Sequence, residues 1–139
     1  MSGAPQEQRN PYKGTPPRSW IRIELVALDG TVQSLELLAD TGSPFLLIVS
    51  DGTMRRFAWQ PAPGRASSFG QLPGGVLRVA IPQLGFDSLV VGFASDALVR
   101  EAQVSSPDFE GLAGLPFLRM VEYGGDADWF WIRPQGSNP

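Results

Sequence analysis

Cysteine and histidine are both missing from the 139 residues of this chain. Without cysteine there is no disulfide, no thiol nucleophile and no thiolate metal site. Without histidine the commonest general base and the commonest metal ligand are gone as well. For a reaction near neutral pH, carboxylates then lead the candidates for proton transfer. Lysine occurs once, as Lys13, so no glycine-rich stretch carries a phosphate-loop lysine. No Gly-x-Ser-x-Gly elbow exists, and a serine nucleophile would lack its imidazole partner.

Long apolar runs are also absent. The longest, Phe45 to Val49, falls far short of the ~20 residues that cross a bilayer. The N-terminal stretch MSGAPQEQRNPYKGTPPRSW is polar and rich in proline, with no apolar core of the secretory kind. These features predict a cytoplasmic protein with no membrane partner. Fourteen acidic residues face eleven basic ones, giving a net charge of -3, and only Arg55 and Arg56 are adjacent cations. That balance argues against a nucleic-acid surface.

What is present reads as one mainly β domain, since the length suits a single core. Residues 1–18 contain four prolines and predict a mobile tail. Order is expected from Trp20, where WIRIELVAL alternates apolar and polar positions as a half-buried strand does. Asp29-Gly30 supplies a tight hairpin turn, and TVQSLELLAD returns as the second strand. FLLIVS follows as a third, ended by Asp51-Gly52. Residues 59–75 have loop composition, with LPGG at 72–75 suited to a type II turn. VLRVAI and SLVVGFA are two more strands. LPFLRMVEY is the one short helix, with Pro116 in its first turn, and DWFWIR is the last strand before a tail at 135–139. Trp129, Phe130 and Trp131 cannot all face one core, because neighbours on a strand point to opposite sides. A subunit interface or a second layer within the monomer would take the remainder.

The segment LLADTGSPFLLIV places Asp40 where two apolar strands meet. Burying a charge is costly unless it is hydrogen-bonded. The plain alternative is that Asp40 opens a turn, its carboxylate bonding to an amide two residues on. Alternation puts Asp40 on one strand face with Leu38 and Glu36, opposite Leu35, Leu37 and Ala39. At such a corner the carboxylate can accept from the Gly42 amide and the Ser43 hydroxyl and keep an oxygen free. Asp126 and Asp128 resemble a fragment of a calcium loop whose other ligands are missing, and they read as turn residues.

LLADTGSPFLLIV, followed downstream by Gly114 in GLAGLPFL, resembles the single-domain retropepsin-like aspartic proteases. That family has an Asp-Thr-Gly-Ala/Ser loop between apolar strands and a later apolar-apolar-Gly segment entering a short helix. The likeness spans roughly residues 20 to 133, with Ala113 smaller than the branched residue usual at its position. It implies a single-lobed domain over 19–134, a closed or partly open antiparallel β-barrel of the acid-protease type, with one short helix near the C-terminus. It implies an aspartic endopeptidase with a polypeptide substrate, and neither cofactor nor metal.

Such chemistry takes two carboxylates sharing one proton. This chain has one Asp-Thr-Gly, so the resemblance implies a homodimer with the site on its two-fold axis. Asp40 would be the catalytic acid/base, one per subunit. Thr41 would bond across the dimer axis, Gly42 would offer its amide, and Ser43 would orient the outer carboxylate oxygen. Pro44 would stiffen the corner, and Gly114 would allow close packing behind it. A flap is expected within residues 64–79, with Phe69, Gly70, Leu72 and Gly74 the candidate substrate contacts and Leu38 and Ile48 lining apolar pockets. A shared proton predicts activity best on the acidic side of neutrality. The competing expectation is a binding or dimerisation module with this fold and no turnover.

Overall fold

Apolar alternation builds most of the sheet seen in the computed structural model, which describes residues 6–136. Strand β2 (Trp20–Val26) turns into β3 (Val32–Asp40) at Asp29-Gly30, as the sequence predicts. Gly30 takes φ +88°, Gly30 N donates to Ala27 O at 2.9 Å, and the Asp29 carboxylate accepts from Thr31 N at 2.9 Å. The remaining elements are β4 (Leu47–Val49), α1 (Asp51–Phe57), β5 (Gln60–Ser67), β6 (Gly70–Ile81), β7 (Phe86–Ala94), α2 (Asp96–Gln103), β8 (Gly111–Gly114) and α3 (Leu115–Leu118). A short strand β1 (Gln8–Pro11) precedes them, and β9 (Glu122–Gly125) and β10 (Trp129–Arg133) follow.

Six strands close a barrel in the order β2, β3, β8, β4, β7, β6 and back to β2, with β5 extending β6 as a hairpin. The barrel is mixed rather than antiparallel, because β3–β8 and β4–β7 run parallel. Its interior holds Ile21, Ile23, Leu25, Leu35, Leu37, Leu47, Leu77 and Val79, all essentially inaccessible to solvent. Burying each such side chain contributes about 1.5–3 kcal/mol. Alternation sends Leu38 to the outer face, where it joins Trp20, Ile48, Leu72, Phe93, Phe109 and Leu112 beneath Val99 and Ala102 of α2. One strand, β3, therefore serves two apolar layers.

Several expectations change. Among the described residues there are three α-helices and a single 3-10 turn at Pro82–Leu84, not one helix. The expected helix LPFLRMVEY stops at Leu118, its end passing into β9, and much of the expected 59–75 loop is strand β5. Ser50 caps α1 by accepting from Thr53 N at 3.1 Å, and Ser95 caps α2 by accepting from Leu98 N at 3.1 Å. Each Ser-Asp pair thus starts a helix. LPGG is not a turn but part of β6, because Pro73 faces a bulge where Pro63 and Gly64 on β5 oppose it and no amide is needed. The expected mobile tail contains structure: Gln8–Pro11 forms β1 and pairs with β10. Residues 1–5 and 137–139 of the expected tails lie outside the described residues, and Gln135 Nε2 donates to Arg119 O at 2.9 Å. Among the described residues no helix is long and apolar enough to cross a membrane.

The N-terminal segment is pinned by charge as well as by pairing. Lys13 bonds Glu36 and lies 3.6 Å from Asp108, while Arg22 donates to Glu36 at 2.8 Å. Burial opposes the Glu36 charge, yet the bonds from Lys13 and Arg22 outweigh it and hold its pKa below the usual carboxylate value. Nearby Glu110 is pushed up, by burial first and by the charges of Glu36 and Asp108 in addition. The signs are opposite. A depressed carboxylate adds stability above its unfolded pKa and loses it as pH falls through the folded value; a raised one favours the native state only while protonated. Glu36→Gln should therefore lower the denaturation midpoint at pH 7, and Glu110→Gln should raise it. Both differences from wild type should shrink as pH is taken below about 4.5, which urea titrations at stepped pH will measure.

Candidate active site

Strand β3 ends at Asp40, whose backbone lies in register with Gly114 on the parallel strand β8. The chain then turns through Thr41, Gly42, Ser43 and Pro44 into β4, which pairs antiparallel with the other edge of β8. The Asp-Thr-Gly-Ser loop is thus the bend joining two strands that clasp a third between them. Gly114 N donates to Leu46 O at 3.0 Å and Leu115 N to Ser43 O at 3.1 Å, so two successive amides of the β8–α3 junction fasten the loop.

Gly114 has no room for a side chain. A Cβ there would lie 2.8 Å from Ser43 O and 3.0 Å from Ser43 Oγ, and would overlap the Phe45 carbonyl oxygen. The glycine is needed for this close approach of backbone to backbone.

Asp40 is half-buried, while Thr41 and Gly42 beyond it are exposed. One carboxylate oxygen, Oδ1, accepts from Gly42 N at 2.9 Å, and the Asp40 carbonyl accepts from Ser43 N at 3.1 Å. A simple turn makes the first of these bonds too. Ser43 departs from its expected role: its buried hydroxyl accepts from Phe45 N at 3.2 Å and lies 3.5 Å from Phe45 O. It closes its own turn and so stiffens the loop through backbone contacts.

Beside the loop is an open groove of about 520 Å³ lined by Thr41, Gly42, Ser43, Pro44, Leu115, Pro116 and Arg119. The β5–β6 hairpin supplies the predicted hairpin segment. Its tip is Ser68-Phe69, with Phe69 about half exposed and Gly70 at φ +95°. Ser67 Oγ fixes the turn, accepting from Phe69 N at 3.0 Å and donating to Gly70 O at 2.9 Å.

Leu72 is only 3% exposed and belongs to the outer apolar layer, so it anchors the hairpin and is closed to a substrate. Leu38 and Ile48, expected as pocket walls, are sealed in that same layer. Gly74 pairs with Ala62 at the edge of the bulge, where a Cβ would meet the Ala62 and Pro63 carbonyls at 3.0 and 2.5 Å. Its role there is close packing of the hairpin.

Sequence reasoning missed Arg65. Its Nη1 donates to Pro44 O at 3.2 Å and its guanidinium stands 4.7 Å from the Phe45 ring centre. The available signal was a lone cation in an otherwise uncharged stretch, QPAPGRASSFGQLPGG. The aromatic triplet divides within the monomer: Phe130 is buried, Trp131 is half-buried with the Arg133 guanidinium 3.8 Å from its ring centre, and Trp129 remains exposed.

The geometry separates two neighbouring positions. Gly114→Ala should cost about 1–3 kcal/mol or more, because backbone carbonyls cannot move aside as a flexible side chain can. Asp40→Asn keeps a carbonyl oxygen to accept from Gly42 N and should stay within about 1 kcal/mol of wild type. Chemical denaturation of the two variants will check the contrast. Compared with protein-family models, with curated proteins and with solved structures, the chain matches none of them.

Proposed function

We propose that this protein is an aspartic endopeptidase that works as a homodimer, each chain supplying Asp40 to a two-carboxylate centre. The observation that carries this reading is the presentation of Asp40: a half-buried carboxylate at an exposed Thr41-Gly42 corner, locked from behind by the Gly114 and Leu115 amides. A surface turn needs no such rear fastening, whereas an acid/base group must be held in fixed geometry. The resemblance to retropepsin-like proteases adds the expectation of an acid-protease barrel, and the absence of histidine and cysteine leaves a carboxylate pair as the chemistry at hand.

In the proposed centre the two Asp40 carboxylates share one proton. One accepts a proton from a water as that water attacks the peptide carbonyl carbon, and the other donates its proton to the carbonyl oxygen. The resulting tetrahedral diol is not attached to the protein. It collapses to release an amine and a carboxylic acid, with a proton delivered to the leaving nitrogen. Gly42 N holds Asp40 Oδ1 in place. Thr41, exposed at the corner, is free to meet its counterpart on the second chain.

A non-catalytic peptide-binding or dimerisation module is the second reading. It is favoured by the commitment of the Ser43 hydroxyl to Phe45 and by the bond from Arg65 that ties the hairpin to Pro44. Light scattering and a peptide-library digest distinguish the two. The protease reading expects a dimer, cleavage fastest on the acidic side of neutrality, and a loss of about a hundredfold or more in Asp40→Asn with dimerisation kept. A protein that remains monomeric at high concentration, or an Asp40→Asn variant with full activity, would overturn it.

A further inference from the structure

Resting on the protease reading, we propose that Arg65 is a specificity residue that selects peptides carrying an acidic side chain beside the cut bond. Arg9, Arg22, Arg78 and Arg133 each pair with a carboxylate, whereas Arg65, in common with several other arginines, forms no ion pair among the described residues; what sets it apart is its bond to the Asp-Thr-Gly-Ser loop. It is held in place from several sides. Its Nη1 donates to Pro44 O, and its guanidinium stands 4.7 Å from the Phe45 ring centre and 6.0 Å from that of Phe93. Those two rings meet edge to face with centroids 5.5 Å apart, making a firm platform.

The side chain is fixed at its root as well. Arg65 pairs with Leu72 immediately after the β5 bulge, and Leu72 is buried in the outer layer. A long cationic side chain ordered before any ligand arrives loses less freedom on binding than a mobile one. Arginine presents five N–H donors. One is used on Pro44, which leaves donors to grip a carboxylate through two parallel hydrogen bonds.

The position gives this cation its use. Pro44, its acceptor, is part of the groove wall with Thr41, Gly42 and Ser43. Phe45, its platform, is bonded through its amide to Ser43, in the same loop that begins at Asp40. Arg65 therefore joins the hairpin to the loop that carries the proposed catalytic carboxylate, and it is solvent-exposed. Arg65 does not itself line the groove, but a peptide that leaves the groove over Pro44 toward the hairpin would meet its guanidinium. An uncharged side chain there gains little, while a carboxylate gains a charge-assisted pair over a partly screened aromatic surface.

The test uses the full chain and peptides in matched pairs that differ only by Glu or Gln at each position flanking the cut bond. Cleavage is measured with wild type, Arg65→Met, which keeps the stem without the charge, and Arg65→Lys, which keeps the charge without the fork. Binding of the same peptides is measured on Asp40→Asn by fluorescence anisotropy, with and without Arg65→Met. At one position wild type should favour Glu over Gln by about 5- to 10-fold in kcat/KM. The ratio should fall to about 1 in Arg65→Met and lie between in Arg65→Lys. The binding arm should show the same preference and the same loss.

A wild-type ratio near 1, a preference that survives Arg65→Met, or no peptide binding at all would overturn the assignment. Absence of cleavage with Arg65-dependent binding of acidic peptides would instead defeat the protease reading and leave the acidic site standing.

Discussion

The close passage of Gly114 behind the 41–46 loop is the constraint on which the rest of the structure depends. Strand β8 is buried along its whole length, and it is held on one edge by β3 and on the other by β4. Those two strands are consecutive in sequence, so the bend between them has to pass over the end of β8. A side chain at position 114 would push that bend away through its own carbonyls. The loop would then lose its two rear hydrogen bonds, and Asp40 its fixed orientation.

The two apolar layers explain why the carboxylate stands where it does. Along β3, Leu35, Leu37 and Ala39 fill the barrel while Leu38 faces the layer under α2. Residues 37–39 are buried on both faces, as in a strand covered on each side. At Asp40 the outer cover ends, and the next position on that face opens toward solvent. A charge one pair of residues earlier would replace Leu38, which is buried among the apolar side chains of the outer layer. Glu36, on the same face, escapes that penalty because Lys13 and Arg22 reach it. The N-terminal segment thus neutralises the far end of the face whose near end carries Asp40.

Legibility in the sequence followed the range of the interactions. The β2–β3 hairpin was readable because Asp29-Gly30 and the flanking alternation are local signals. The division of β3 into two faces was readable for the same reason. Helices α1 and α2 were not, since Ser50-Asp51 and Ser95-Asp96 carry turn chemistry as well as cap chemistry, and only the packing of Met54, Phe57, Val99 and Ala102 decides between them. Pro73 suggested a turn because its tolerance within β6 depends on a bulge in the partner strand. The order of residues 8–11 is tertiary in origin: proline-rich and polar by itself, the segment is held by β10, and Gln8 exchanges hydrogen bonds with the Arg22 backbone at 2.7 and 2.8 Å. Arg65 was missed because nothing in its neighbourhood along the chain shows that Phe45 and Phe93 will lie beneath it.

These features set what a second copy of the chain has to do. An isologous contact brings the same patch of both chains together, so the proposed dyad requires the loop tips to approach each other. Thr41 and Gly42 are the exposed residues there, with Asp40 recessed behind them. Recession suits the proposed centre: contact between the tips would shield the two carboxylates from bulk solvent, where two like charges side by side are costly. In the proposed dimer the same contact would bring the groove wall at Pro44, and Arg65 bonded to it, up to the second chain. Because the clasp around Gly114 already immobilises each loop, little ordering is left to association. A site divided between two chains can then be assembled without refolding either of them.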